Sequence, residues 1–135
     1  MNFVAIFLDA SYLLALYNSN DIHHKRALLI AEKIDSNEYG QTLTSDDIFD
    51  EVVSVALRKF GKEKAQTFGK QILNSILIVH GDKHLFDASF EIFNASKAPF
   101  SFTDCTSQAI MDLAQIQHIA TFDKLFEKLD VKVVH

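Results

Sequence analysis

The sequence predicts an α/β fold in three layers, a central, mostly parallel sheet with helices on both sides. The apolar run at residues 3–8 is of strand length and shows no alternation, which suits a strand covered on both faces, and residues 76–79 read as another strand. Between them lie longer stretches with apolar residues at helical spacing. Strands that alternate with helices imply parallel pairing, because each return crosses over a face of the sheet.

In chain order, residues 3–8 form the first strand, and Asp9 stands at its carboxyl end. Residues 11–18 read as a short helix. Residues 23–34 read as a longer one, with Ala27, Leu28, Ala31 and Ile34 near helical spacing. Residues 40–44 make a short strand. Ser45 or Asp46 caps a helix running to about Phe60, whose stripe of Ile48, Val52, Val55 and Ala56 ends at Gly61. Glu51 borders that stripe. A helix over residues 62–74 leads to the strand at 76–79. Residues 85–95 have helical spacing at Leu85, Ala88, Phe90 and Phe93, and the Pro99 region breaks the pattern. Ser101 and Asp104 open a helix reaching about Ile116, with Ile110, Leu113 and Ala114 inward. A strand at 119–122 ends at Asp123, a short helix spans 124–129, and 131–134 is the last strand.

The chain has 135 residues, 48% of them hydrophobic, with one proline and four glycines. That size suits a single domain over residues 1–135, and the composition argues against disorder. Cys105 is the only cysteine, so neither an internal disulfide nor a cysteine zinc cage can form, which favours a reducing, cytoplasmic setting. The apolar start is too short to span a bilayer and lacks a basic leader. The formal net charge of −5 counts against a nucleic-acid partner only as a sum. Acids can gather in one pocket while Arg58, Lys59, Lys62 and Lys64 form a basic patch elsewhere.

Ligands of open parallel sheets bind beyond the carboxyl ends of the strands. Asp9 and Asp123 hold such positions, Asp104 starts a helix, and Glu51 lies on the inner margin of another, so all four can point at one place. Two carboxylates ~4 Å apart at an effective dielectric near 20 repel by about 4 kcal/mol. Such a cluster takes up protons or binds a cation. Oxygen donors without cysteine or histidine at ligand spacing select magnesium or manganese over zinc. A carboxylate-bound divalent pair suits phosphodiester cleavage, one ion favouring formation of hydroxide and the other steadying the leaving oxygen.

Four segments together resemble a PIN domain: Phe7-Leu8-Asp9-Ala10-Ser11-Tyr12-Leu13-Leu14-Ala15-Leu16, Phe49-Asp50-Glu51-Val52-Val53, Ser101-Phe102-Thr103-Asp104, and Ala120-Thr121-Phe122-Asp123-Lys124-Leu125-Phe126. The resemblance covers essentially the whole chain and implies a PIN-like fold with Mg2+- or Mn2+-dependent cleavage of RNA. It often goes with the toxin of a VapC-type toxin–antitoxin pair. Carried over residue by residue, the metal-binding acids fall on Asp9, Glu51, Asp104 and Asp123, with Asp123 the more peripheral. Ser11 and Thr121 match small hydroxyl positions that support carboxylates or water. An antitoxin partner and a homodimer are further implications, the dimer drawing on exposed phenylalanines among Phe86, Phe90, Phe93 and Phe100. Asp46, Asp47 and Asp50 crowd Glu51 and leave the second acid open.

Each acid also has a purely local reading. Asp9 and Asp123 can cap the helices they precede, Ser101 and Asp104 have capping-box spacing, and Glu51 can be a solvated acid near Arg58. His23, His24, His80, His84 and His118 are expected outside the site, and Cys105 reads as a small buried residue. A phosphotransferase of the haloacid dehalogenase type would want an aspartate where Ser11 stands. A receiver domain would want an acidic pair after the first strand and a lysine after the last. The remaining rival is a catalytically idle PIN domain that binds RNA or protein.

Overall fold

The computed structural model describes residues 4–135, so Phe3, expected in the first strand, lies outside the described residues. Five strands form one sheet in the order β3-β2-β1-β4-β5, with every neighbouring pair parallel. The strands are β1 (Ala5–Leu8), β2 (Gln41–Ser45), β3 (Leu77–Val79), β4 (His118–Ala120) and β5 (Lys132–Val134). β1 is central and buried along its whole length, as its unbroken apolar run predicts. The chain lays β2 and β3 to one side of β1, then crosses to the other side for β4 and β5. The reversal falls between β1 and β4, and a crevice opens at such a switch point.

Six α-helices connect the strands: α1 (Ala10–Tyr17), α2 (His24–Asp35), α3 (Asp46–Phe60), α4 (Lys62–Ser75), α5 (Lys83–Ala95) and α6 (Phe102–Ala114). Residues Lys124–Lys128 form a 3-10 turn. The best-specified helix is α3. Ser45 Oγ accepts from the Ile48 amide at 3.1 Å. Asp46 and Asp47 lie at its positive end and Arg58 and Lys59 at its negative end. Ile48, Val52 and Ala56 are fully buried along its inner face. Gly61, at φ +92°, ends α3 and starts α4. Gly40 is required for a different reason: at φ +75° a Cβ there would overlap the Val4 carbonyl oxygen, where the chain enters β2 beside β1.

Two expected faces are corrected, those of α2 and α6. In α2 the buried positions are Ala27 and Ile30, while Leu28 faces out. In α6 Ile110 is inward as expected, but Leu113 and Ala114 are exposed. The buried side of α6 is Cys105, Thr106, Ser107, Ala109, Ile110 and Met111. Thr106 and Ser107 donate to the carbonyls of Phe102 and Thr103, so their hydroxyls enter the interior already bonded and hide the stripe from hydropathy. In α5 Leu85 and Ser89 are buried, whereas Phe86, Phe90 and Phe93 are 61%, 50% and 45% exposed. Phe100 is not part of that exposed set, being buried against Phe126 with ring centroids 5.8 Å apart.

Candidate active site

The switch point places Asp9 against the end of β4. The Asp9 amide donates to the Ala120 carbonyl at 3.0 Å and extends the β1–β4 ladder by one bond. That bond sets the Asp9 side chain beside Thr121, whose hydroxyl donates to Asp9 Oδ2 at 2.7 Å. Ser11 Oγ approaches the same oxygen at 3.4 Å and lies 3.1 Å from Thr121 Oγ1. Backbone amides close the arrangement: Phe122 N donates to Ser11 Oγ at 2.9 Å, and Asp123 N to Thr121 Oγ1 at 3.0 Å. Two hydroxyls far apart in sequence thus fix both the Asp9 carboxylate and the backbone carrying Asp123.

The local capping readings separate here. Asp9 occupies the cap position of α1, yet its side chain makes no cap hydrogen bond to that helix. Asp104 completes a capping box with Ser101, accepting from Ser101 N at 3.0 Å while its own amide donates to Ser101 Oγ at 3.1 Å. Asp123 caps the 3-10 turn through Leu125 N at 3.0 Å. Asp104 and Asp123 therefore have structural work in any case. Asp9 is 5% exposed and has none on its helix.

Electrostatically the acids are linked in pairs, Asp9 to Asp104 and Glu51, Glu51 to Asp104, and Asp104 to Asp123. Burial pushes the Asp9 carboxyl up to about 6 from its usual 3.8; hydrogen bonds from Thr121 and Ala10 oppose the rise, and the charges of Asp104 and Glu51 add to it. Burial also raises Asp104, opposed by its Ser101 bonds and helped by Asp123. Partial burial and then Asp104 raise Glu51. The ion pairs among the described residues are His80–Asp46, Lys83–Asp87 and His135–Glu127, so no cation pairs with these four acids.

Of the crowded acids on α3, Glu51 is the one that senses Asp9 and Asp104. Asp47 is raised by burial, Asp46 and Asp50, and so belongs to a neighbouring group. Asp46 turns to the β3–α5 loop, where it accepts from Gly81 N at 3.3 Å and faces His80 at 3.5 Å. Cys105 is fully buried, and burial and then Asp104 push its thiol up, away from the thiolate a nucleophile needs.

Grouping is looser than ligation of one ion by three side chains. Among the described residues no three of the His, Cys, Asp and Glu side chains stand close enough to hold one metal ion. A zinc cage of three or four protein ligands does not fit this spacing. Magnesium does, since it keeps several waters and binds through one or two carboxylates. Two cavities flank the acids. One, of about 430 Å³, is lined by Asp47, Asp50, Glu51, Ser54, Ser101 and Thr103. The other, of about 400 Å³, includes Thr121 and Asp123 together with His23, Arg26, Phe122 and Lys124, which sequence reading does not assign to the site. Their sequence signals are ordinary; only the folding of α2 against the end of β4 collects them.

A protein-family model described as PIN domain matches residues 6–132. The chain belongs to the PIN domain family. Among solved structures, the VapC20 toxin of Mycobacterium tuberculosis, described as sarcin-ricin loop cleaving, is similar at 24% identity with a TM-score of 0.80. That likeness covers 93% of this chain and 98% of that one. VapBC-1 from nontypeable Haemophilus influenzae is similar at 14% identity and TM-score 0.73, covering 96% of each chain. FitAcB from Neisseria gonorrhoeae is similar at 16% identity and TM-score 0.68, again with 96% of each chain covered. At these identities the likenesses bear on the PIN fold alone. No curated protein sequence matches the chain.

The electrostatics of this PIN domain set a pH dependence of stability. An acid whose folded pKa is raised favours folding while protonated, and that stability is lost as pH rises from its unfolded pKa through its folded one. For Asp9 the window is about pH 4 to 6, and the ionised form costs the fold about 3 kcal/mol. In EDTA, Asp9→Asn should gain stability relative to the parent as pH rises from 4 to 7, approaching that figure. Urea unfolding across this range measures it. A constant difference between variant and parent would show that Asp9 is not the strained carboxylate described here.

Proposed function

We propose that the chain is a ribonuclease, dependent on magnesium or manganese, that hydrolyses RNA phosphodiester bonds at Asp9, Glu51, Asp104 and Asp123. The observation that carries the proposal is Asp9 itself: a carboxylate at the switch point, held by two hydroxyls, raised by burial and then by neighbouring acids, and making no capping bond to the helix it precedes. Folding leaves negative charge there that a divalent cation would neutralise. Asp9 and Asp104 would hold that ion, with Glu51 and Asp123 completing the negative field. When bound, the ion supplies the charge that makes hydroxide accessible near neutral pH and steadies the departing oxygen. In the hydrolysis a bond forms from water oxygen to phosphorus as the bond from phosphorus to the leaving sugar oxygen breaks. Thr121 and Ser11 set the rotation of the Asp9 carboxylate, as supporting hydroxyls. The described sarcin-ricin loop cleavage by the VapC20 toxin supports the choice of RNA as substrate.

The same likenesses support a role as the toxin of a toxin–antitoxin pair, with an antitoxin protein as partner. No helix of the described residues is long and apolar enough to cross a membrane, and we place the activity in the cytoplasm. The second reading is an idle PIN domain that binds RNA or protein. It is favoured by one observation, that Asp104 and Asp123 have capping duties sufficient to explain their presence.

Cleavage of a mixed RNA pool separates the two readings. The parent should cut RNA with magnesium or manganese and not with EDTA. Asp9→Asn and Asp104→Asn should lose at least a hundredfold in rate, although asparagine retains an oxygen that can cap. Asp112→Asn, farther along α6 on its exposed side, should cleave as the parent does. Cleavage by both variants at the parental rate under saturating magnesium would remove these acids from the chemistry.

We also propose a homodimer formed through the outer face of α5, where Phe86, Phe90 and Phe93 stand exposed. Light scattering at tens of micromolar should give twice the 15.3 kDa chain mass, and Phe90→Glu should return it to the monomer. A monomer from the parent would contradict this assembly.

A further inference from the structure

The cavity beside Asp123 has a chemistry that the acid cluster does not use. His23, in the turn before α2, lies flat on Phe122, with ring centroids 4.3 Å apart and planes 7° from parallel. Both rings line the cavity, and Phe122 also contacts Tyr12 at 6.4 Å. The stack is anchored at each end. The His23 amide donates to Asp21 Oδ1 at 2.8 Å, and the Phe122 amide to Ser11 Oγ, the hydroxyl that also addresses Asp9. Arg26 and Lys124 bring positive charge to the same cavity. Arg26 Nε donates to the His135 carbonyl at 2.8 Å, which fixes the guanidinium at the rim. Among the described residues neither Arg26 nor Lys124 pairs with a side-chain carboxylate, and Glu127, the other acid on the wall, pairs with His135 Nε2 at 3.5 Å.

We propose that this cavity is a subsite for one nucleotide of single-stranded RNA, the base stacking on the His23–Phe122 pair and a phosphate meeting Arg26 and Lys124. The proposal rests on the ribonuclease reading for its direction, since Asp123 and Thr121 form the shared wall between the cavity and the acids. Aromatic faces beside cations are how single strands are held without reading sequence. The cavity volume of about 400 Å³ lies within the roughly 300–1,000 Å³ of small-ligand sites. The opposite cavity, beside Glu51, is walled by three acids and would repel a phosphate, so the strand's approach is set by charge. A paired base is already stacked on its neighbours and cannot enter, which makes the subsite selective for single strands.

Fluorescence anisotropy of a labelled ten-nucleotide single-stranded RNA, in EDTA and low salt, tests the subsite while the RNA stays intact. His23→Ala and Arg26→Ala should each weaken binding by about tenfold. Arg26→Ala should also lower the salt slope by about one phosphate contact. His23→Phe, which keeps the stack, and Lys70→Ala, on the exposed side of α4, should bind within twofold of the parent. The same strand annealed into a duplex should bind more weakly. Absence of binding by the parent, or parental affinity in both alanine variants, would overturn the subsite. Because metal is chelated, the two proposals fail separately. Cleavage in magnesium with no effect of the cavity variants on binding defeats the subsite alone, and cavity-dependent binding without cleavage defeats the ribonuclease reading alone.

Discussion

Where β1 ends beside β4, one hydrogen bond from the Asp9 amide to the Ala120 carbonyl decides what the Asp9 side chain can touch. The strand order reverses at this seam, so no helix crossover covers it and the crevice stays open. The carboxylate is thereby placed between Thr121 and the Ser11 hydroxyl of α1, beside the amides of residues 122 and 123, and makes no capping bond to the helix it precedes. Had Asp9 turned to cap α1, Thr121 would lose its acceptor and the backbone leading to Asp123 its anchor. The α3 and α6 acids approach from the other side, each on a helix whose start is fixed by a serine cap, Ser45 for α3 and Ser101 for α6.

This arrangement stores unfavourable charge in a folded protein. A net stability of 5–15 kcal/mol tolerates one carboxylate costing about 3 kcal/mol, provided the rest of the structure is well satisfied. The core supplies that margin: β1 is wholly buried, Ile48, Val52 and Ala56 seal α3, and the buried hydroxyls of Thr44, Ser89 and Ser107 all donate to backbone carbonyls. The strain is therefore confined to the crevice. Confinement is what a functional site requires, since a cation or proton arriving there relieves the repulsion without rearranging the core.

What the sequence discloses follows from how local each signal is. β1 is legible because a strand buried on both faces must be apolar throughout, and α3 because its cap, stripe, end charges and terminal glycine all agree. The inward face of α6 is not legible from hydropathy, because Thr106 and Ser107 satisfy their hydroxyls within the helix and pass for surface residues. Phe86, Phe90 and Phe93 are exposed as expected, whereas Phe100 is buried beside Phe126. At the site, the position of Asp9 directly after β1 can be read from the sequence, whereas β4 ends at Ala120 and Asp123 stands three residues beyond it, at the start of the 3-10 turn. That Asp9 caps nothing while Asp104 and Asp123 do cannot be read there, since all three occupy helix starts. The His23–Phe122 stack joins two distant segments, and no periodicity records it.

The central claim is that folding assembles these acids into a site for a divalent cation. Manganese binding, followed by the loss of the free-ion electron paramagnetic resonance signal at pH 7, tests it without reference to any substrate. The parent should bind saturably at a small whole-number stoichiometry, with binding weakened at least tenfold in Asp9→Asn and in Asp104→Asn and unchanged in Asp112→Asn. Weak, unsaturable binding that is the same in all four proteins would contradict that claim.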